Sequence, residues 1–438
     1  MIRPVFCSLE EWDSILNYYR PNGMSKTWYL KEEGKLDFPK MWGIWNLVNT
    51  ENENELFDED TFVSQVTPPY NTDLVKFLTE KQITKDNISH LYLIHVFDPN
   101  FFRRNRNIGF KCISEKYIQD VRDNKCNIVL IHGLEGYSGS LNNDDLEIID
   151  SWIKELGLSQ KNIHYISGNL LIDKIAQEKN LEFNCYPLSF FDSWINYEKL
   201  PEQILSFKPQ DTNNLFLSYN RNPREHKIFL LSLLLEKDML SKGLISLGEF
   251  DVPFPERAKP SVNLLSDLAP FIIDKPMNIN WANDVTYNDF ERTFISLVTE
   301  SLVLDTCLFL SEKIWKPISL GHPFITFGNY KTLEYLHSLG YRTFDKWIDE
   351  SYDNEIDSYK RGSMIADEIE KFKNKTLEEL QEIRKEMNEV CEHNFNLFRK
   401  VTKEKYAHSN GYMDVLQPLI KIFIDIRDKN FYKEKKLI

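Results

Sequence analysis

The stretch LFLSEKIWKPISLGHPFITFG, residues 308–328, sets two adjacent opposite charges, Glu312 and Lys313, between an apolar run and a helix-like run. If Ser311 caps that helix, both charges fall in its first turn, where backbone N–H groups point outward and the dipole favours an anion. Lys313 is then a point charge suited to a phosphate, and Glu312 an acceptor for a sugar hydroxyl. The ordinary alternative is a solvated first turn with a favourable Glu and an idle Lys. A second group, LSYNRNPREHK, leaves a strand-like run and exposes Arg221, Arg224, His226 and Lys227 before a helix begins. In a doubly wound domain, the first strand-to-helix turn is where diphosphates bind. Neither a G-x-G-x-x-G turn nor a Walker sequence accompanies it, so phosphates would be held by Arg and Lys side chains and not by a glycine-rich loop. Its alternative is a solvated basic turn.

The elements that must position these residues are legible from hydrophobic periodicity. CNIVLIHGLEGYSGS reads as a strand running into a Gly-bearing loop, DDLEIIDSWIKELGL as an amphipathic helix and KNIHYISGN as the next strand. HLYLIHVFDP, further upstream, reads as a buried strand, and NTENENELFDEDTF as an acidic surface loop. The rhythm restarts with a strand over 215–220, an apolar helix from Glu225 to Lys237 and a strand in GLISLGEF. It continues with strands at 293–301 and 323–328 flanking SEKIWKPISLG, a helix with Ser311 as N-cap. NYKTLEYLHSLGY adds a helix, and the last hundred residues read as helical, with Leu377, Leu380, Met387 and Phe398 on or near one face. Strand–helix–strand order predicts parallel pairing: an α/β fold of two Rossmann-like domains with a helical C-terminal segment.

Composition bounds the rest. At 438 residues, two domains are expected, and the polar segment 196–214 with its two prolines is the expected junction. The net charge of −14 argues against a surface built to neutralise a nucleic-acid backbone, so a nucleic-acid partner is disfavoured. Six scattered cysteines without C-x-x-C spacing fit reduced thiols, and the N-terminus meets charges too early for a signal peptide; a cytoplasmic protein is expected. The tail NFYKEKKLI allows at most peripheral membrane contact. The acidic DED at 58–60 lacks a preceding strand and is discounted as a metal site. Tyr219, Trp315, Phe327 and Tyr330 lie near the proposed site, where core packing accounts for most of them.

FISLVTES followed by CLFLSEKIWKPISLGHPFITFG resembles the donor-binding region of the alpha-1,3-fucosyltransferases, inverting enzymes of GT-B architecture. Glu300 stands where that family's Phe-Glu-Asn glutamate would stand, Ser311 replaces its Thr, and Glu312 and Lys313 match its Glu-Lys pair. The gap between Glu300 and Glu312 is longer, and Val-Thr-Glu-Ser replaces Phe-Glu-Asn-Ser. The resemblance implies a GT-B glycosyltransferase moving a sugar, fucose in that family, from a nucleoside-diphosphate donor to a glycan acceptor without a metal or other cofactor. Residues 1–200 would be the acceptor-side domain, 201–214 a linker, 215–400 the donor domain and 401–438 a helical tail. Arg221, Arg224 and Lys313 would hold the diphosphate, with Ser311, Glu300 and Glu312 beside the donor ribose or sugar.

Inverting transfer also needs a base opposite the leaving diphosphate, on a cleft-facing loop of the N-terminal domain. IVLIHGLEGYS supplies Glu135 and His132 there, and the resemblance, which implies a carboxylate, selects Glu135. A loop glutamate and a satisfied core histidine are their ordinary alternatives. Two other functions fit the same residues: a phage-type DNA-base glycosyltransferase, and a non-catalytic nucleotide- or glycan-binding module with a degenerate transferase fold.

Overall fold

The computed structural model describes residues 4–5, 90–95, 110, 115–124, 126–132, 145–189, 195, 200–209, 214–250, 254–270 and 286–409, with the side chains of most of them. The chain divides into two compact units, Met1–Ser189 with Lys405–Ile438, and Phe190–Glu404. Each contains a wholly parallel sheet, so the chain is mixed α/β. The acidic stretch 49–62, the loop carrying Glu135 and the tail 430–438 lie outside the described residues.

In the first unit, strands β1 (Pro4–Val5), β2 (His90–His95), β3 (Cys126–His132), β4 (Ile163–Ser167) and β5 (Asn184–Pro187) lie side by side in that order. Parallel neighbours need a crossover, and helices α1 (Glu115–Arg122), α2 (Asp145–Glu155) and α3 (Ile172–Glu178) provide it. Side chains alternate across a strand, so Ile128 and Leu130 of β3 and Ile163 and Tyr165 of β4 share one face. They pack on Ile149 and Trp152 of α2. Burying each large side chain contributes about 1.5–3 kcal/mol, which fixes the register of β3 against β4.

The second unit holds four strands, β6 (Phe216–Asn220), β7 (Gly243–Leu247), β8 (Ile295–Thr299) and β9 (Phe324–Phe327), in the spatial order β7-β6-β8-β9. Its helices are α4 (Glu225–Glu236), α5 (Lys259–Leu265), α6 (Tyr287–Arg292), α7 (Glu312–Leu320), α8 (Thr332–Ser338), α9 (Ser358–Glu370) and α10 (Leu377–Ser409). Alternation again sorts the faces. Leu217 packs with Phe290 of α6 and Leu320 of α7. Phe327 projects the other way, against His226 of α4 and up to Gly362 of α9, where an added Cβ would sit 3.1 Å from its ring. Helix α10 buries Leu380, Met387 and Phe398, and half-buries Leu377. Trp315 of α7 is a core residue, 2% exposed, against Tyr341 and Phe398. No helix among the described residues is long and apolar enough to cross a membrane.

Residues 201–209, expected to begin as a linker, pack into the second unit. Leu205 joins the Leu217–Phe290–Leu320 cluster, its N–H donating to the Leu320 carbonyl at 3.0 Å, and the Lys208 N–H donates to the Glu291 carbonyl. The polar, proline-bearing composition that suggested a linker conceals apolar anchors, Leu205 among them. Nearby, α7 ends on Gly321 in the left-handed conformation, φ 63°, and a Cβ there would lie 2.2 Å from Ile204 Cγ2. Gly321→Ala should therefore cost about 1–2 kcal/mol for the left-handed alanine alone, plus the cost of the collision. In urea unfolding, the double variant with Ile204→Ala should lose less than the two single variants summed. Strict additivity would show that the two groups do not meet.

Candidate functional site

The order β7-β6-β8-β9 has a physical consequence. After β6 the chain crosses over to β7 on one side, and later returns to place β8 on the other, so the carboxyl ends of β6 and β8 flank the switch point of the sheet. In open parallel sheets that is where ligands bind. The two ends are tied: Thr299 Oγ1 donates to Asn220 Oδ1 at 2.5 Å, Asn220 Nδ2 to Ser218 Oγ at 2.9 Å, and Ser218 Oγ to the Leu297 carbonyl at 3.0 Å. Gly248, just past β7, lets the turn after β6 pass close by, since a Cβ there would be 1.9 Å from the Arg221 carbonyl oxygen.

Glu300 is the first residue beyond β8 and is wholly buried. Its N–H donates to the Phe327 carbonyl, extending the β8–β9 ladder, and its own carbonyl accepts from His226 Nε2 at 2.9 Å. Its carboxylate accepts from the Ser311 N–H at 3.3 Å to each oxygen and from Ser311 Oγ at 2.5 Å. Ser311 has extended backbone and caps α7, its Oγ accepting from the Lys313 N–H, as its position in the sequence predicts. Lys313 Nζ donates to Glu312 Oε1 at 2.9 Å, Ser311 Oγ at 3.1 Å and Ser301 Oγ at 3.3 Å. Arg224, at the N-cap position of α4, reaches the same place: its Nη1 donates to the Ser301 carbonyl at 2.7 Å. The connection from β8 to α7 is pinned from outside by Arg361, which donates to the Val303 carbonyl, and by Asn329, which bonds the Leu304 carbonyl and the Phe309 N–H.

Five of the expected residues, Arg224, Glu300, Ser311, Glu312 and Lys313, are thus brought into one hydrogen-bonded cluster at the switch point. Arg221 stands half-buried where the chain leaves β6. Glu135 lies outside the described residues. His132 belongs to the first unit and is buried at the end of β3; its Nδ1 is 3.1 Å from Tyr165 Oη and 3.6 Å from Asp145 Oδ2, and Tyr165 Oη donates to the same carboxylate at 3.2 Å. Tyr219 donates to Asp289 at 2.9 Å, and Phe327 is buried in the sheet.

The electrostatics of the cluster follow from its burial. Desolvation raises the Glu300 carboxyl above its ordinary value, against the pull of Lys313 and the Ser311 hydroxyl. Burial also opposes the Glu312 carboxylate, but Lys313 and Lys316 outweigh it and hold Glu312 below its ordinary value. Burial and the neighbouring Lys227 push His226 down to about 3, so it stands as a neutral donor to the Glu300 carbonyl and not as a proton shuttle. Lys227 is the residue that sequence reasoning left without a role. It is 2% exposed in the first turn of α4, and the available signal was a lysine opening an otherwise apolar helix, KIFLLSLLL. Among the described residues no cluster of His, Cys, Asp and Glu is arranged to hold a metal ion.

No family model matches the chain, and no curated protein matches it. Among solved structures it overlays on a mutant O-GlcNAc transferase of Thermobaculum terrenum with 14% identity and a TM-score of 0.35, over 81% of this chain and 66% of that one. A UDP-forming alpha,alpha-trehalose-phosphate synthase of Burkholderia vietnamiensis gives 12% identity and a TM-score of 0.33, over 92% and 83%. The chain spans just under two thirds of the first neighbour's length. At those scores neither neighbour carries a residue role over to this chain.

Removal of Ser311 Oγ should weaken the whole junction. Ser311→Ala loses the helix cap and the carboxylate's shortest hydrogen bond, and should cost roughly 2–4 kcal/mol in urea unfolding. Glu300 sets a pH dependence as well. A carboxyl raised in the native state binds its proton more tightly there than in the unfolded chain, so its contribution to stability is present in acid and is lost as pH rises from 4.5 through the raised value. Glu300→Gln should flatten that fall; an unchanged profile would show that the carboxyl does not titrate in this range.

Proposed function

We propose that the second unit binds a nucleoside-diphosphate sugar and that the chain is a glycosyltransferase of GT-B type, moving the sugar to a glycan acceptor with inversion and without a metal. The observation that carries this reading is the convergence of Arg224, from the start of α4, and Lys313, from the first turn of α7, on Ser301 at the switch point between β6 and β8. Cations beside outward-pointing N–H groups at the carboxyl ends of parallel strands form an anion site whose charge suits a diphosphate. The resemblance of this segment to the alpha-1,3-fucosyltransferases favours a GDP-linked donor, fucose being the sugar it suggests.

Each residue then has a role. Lys313, Arg224 and the α7 N–H groups take the charge that develops on the leaving diphosphate, with Arg221 a further phosphate contact. Glu312, whose side chain is 12% exposed, accepts from donor hydroxyls. Glu300, with both oxygens engaged by Ser311, acts through Ser311 as a positioning residue. As the acceptor hydroxyl attacks the anomeric carbon and the bond to the diphosphate breaks, its proton passes to a general base. Glu135 is proposed for that base; His132, held by Tyr165 and Asp145, is the other candidate. A cytoplasmic setting, read from the cysteines, goes with this proposal.

Thermal-shift titration with GDP and UDP tests the donor site. One of them should stabilise the wild type, and Lys313→Ala should weaken that nucleotide by about 10- to 100-fold, the value of a lost charged hydrogen bond. A nucleotide bound equally well by Lys313→Ala would remove the donor-site assignment. Glu135→Gln should abolish transfer and spare nucleotide binding, whereas an active Glu135→Gln with an inactive His132→Asn would move the base role to His132. Nucleotide binding without turnover on any glycan would leave a non-catalytic module, and turnover on duplex DNA would make the acceptor a base.

A further inference from the structure

The basic turn after β6 contains a buried cation that no hydrogen bond explains. Lys227 is 2% exposed, and among the described residues its Nζ makes no hydrogen bond or ion pair. It occupies the first turn of α4, a helix of 12 residues, where outward N–H groups and the dipole disfavour a positive charge. The charged groups around it come from three directions. Arg224 lies on its own turn, beside the neutral His226; Glu300 follows β8; Glu312 and Lys313 open α7. Arg361 of α9 acts on the adjacent His226. Of the two carboxylates, Glu300 is engaged by Ser311 and Glu312 by Lys313. Three basic side chains and the first turns of two helices thus meet where the acidic partners are already committed. An ammonium in that position lacks a counter-ion of its own, and a lysine only 2% exposed that forms no hydrogen bond with a described residue is a second sign of an anion site, independent of the helix ends.

We propose that Lys227 is a phosphate ligand of this site and that it takes up a proton as a nucleoside diphosphate enters. This deepens the donor-site reading and rests on it. The direction of the titration agrees: burial first, then Lys313 and Arg224, push the Lys227 ammonium down to about 7, far below its ordinary 10.5. A diphosphate brings the negative charge that these neighbours lack. The Lys227 amine takes a proton from solvent, and the resulting ammonium donates to a phosphate oxygen, so proton and anion enter together. Diphosphate affinity therefore falls as pH rises above about 7, and the site favours the more highly charged diphosphate over a singly charged carboxylate.

The sign of the stability effect separates this role from a structural one. A lysine held below its unfolded value binds fewer protons in the native than in the unfolded state. Its cost to folding is full below about pH 7 and fades as pH approaches 10.5. In the ligand-free protein Lys227→Met should accordingly raise the melting temperature near pH 6.5, with the gain shrinking toward pH 10. A lysine that merely braces the fold would lower it.

Titration calorimetry of the full chain with GDP and UDP at pH 8, in two buffers of different ionisation enthalpy, provides the test. Both nucleotides are fully ionised at that pH. The wild type should take up close to one proton per nucleotide bound, as an amine titrating near 7 requires. Lys227→Met should take up none and bind roughly 10- to 100-fold more weakly. Nucleotide binding by the wild type without proton uptake, or with unchanged affinity and uptake in Lys227→Met, overturns the inference while leaving the donor-site reading to the Lys313→Ala result. A wild type that binds neither nucleotide overturns both.

Discussion

The carboxylate of Glu300 accepting both the N–H and the hydroxyl of Ser311 is the contact on which the second unit's site depends. It joins the residue just beyond a central strand to the N-cap of a helix, and it does so in full burial, where a hydrogen bond is strong and an unmet carboxylate is expensive. Once Ser311 is fixed, the axis of α7 and the positions of Glu312 and Lys313 follow, because the cap sets the backbone direction of the first turn. His226 fastens α4 to the Glu300 carbonyl, and Arg224 fastens the same helix start to Ser301. Two helix N-termini are thereby registered against one strand end by a handful of polar contacts.

That economy leaves an imbalance. Each acidic group in the cluster has a partner within the protein, whereas the cations outnumber the acids and one of them, Lys227, is 2% exposed and bonds to none of the described residues. Native interiors rarely retain such an arrangement unless a ligand completes it, because an isolated buried charge costs several kcal/mol. Burial, with Lys313 and Arg224, lowers the affinity of Lys227 for its proton, which reduces that cost.

Much of this was legible in the sequence, and what was not has a physical reason. Period-two and period-3.6 patterns mark the strands 215–220 and 323–328 and the α4 and α7 helices, because a packed sheet with helices on both faces imposes those periods. Ser311 as cap, with Lys313 in the first turn, is a local matter and was readable for the same reason. The Glu300–Ser311 contact was not, since it spans the loop 301–310 and depends on where β9 pairs. Lys227 looks like one more exposed cation until the apolar helix behind it is packed on all sides and draws the first turn inward. Leu205 was hidden within a polar segment, and only its packing against Leu217, Phe290 and Leu320 gives it a place.

The most direct test of the central claim is a crystal structure of the full chain with a bound nucleoside diphosphate. The account predicts phosphate oxygens within hydrogen-bond distance of Arg224, Lys227, Lys313 and the first-turn N–H groups of α7, with the Glu300–Ser311 contact intact beneath them. A diphosphate seated away from the carboxyl ends of β6 and β8, or one that leaves Lys313 and Lys227 untouched, would contradict it.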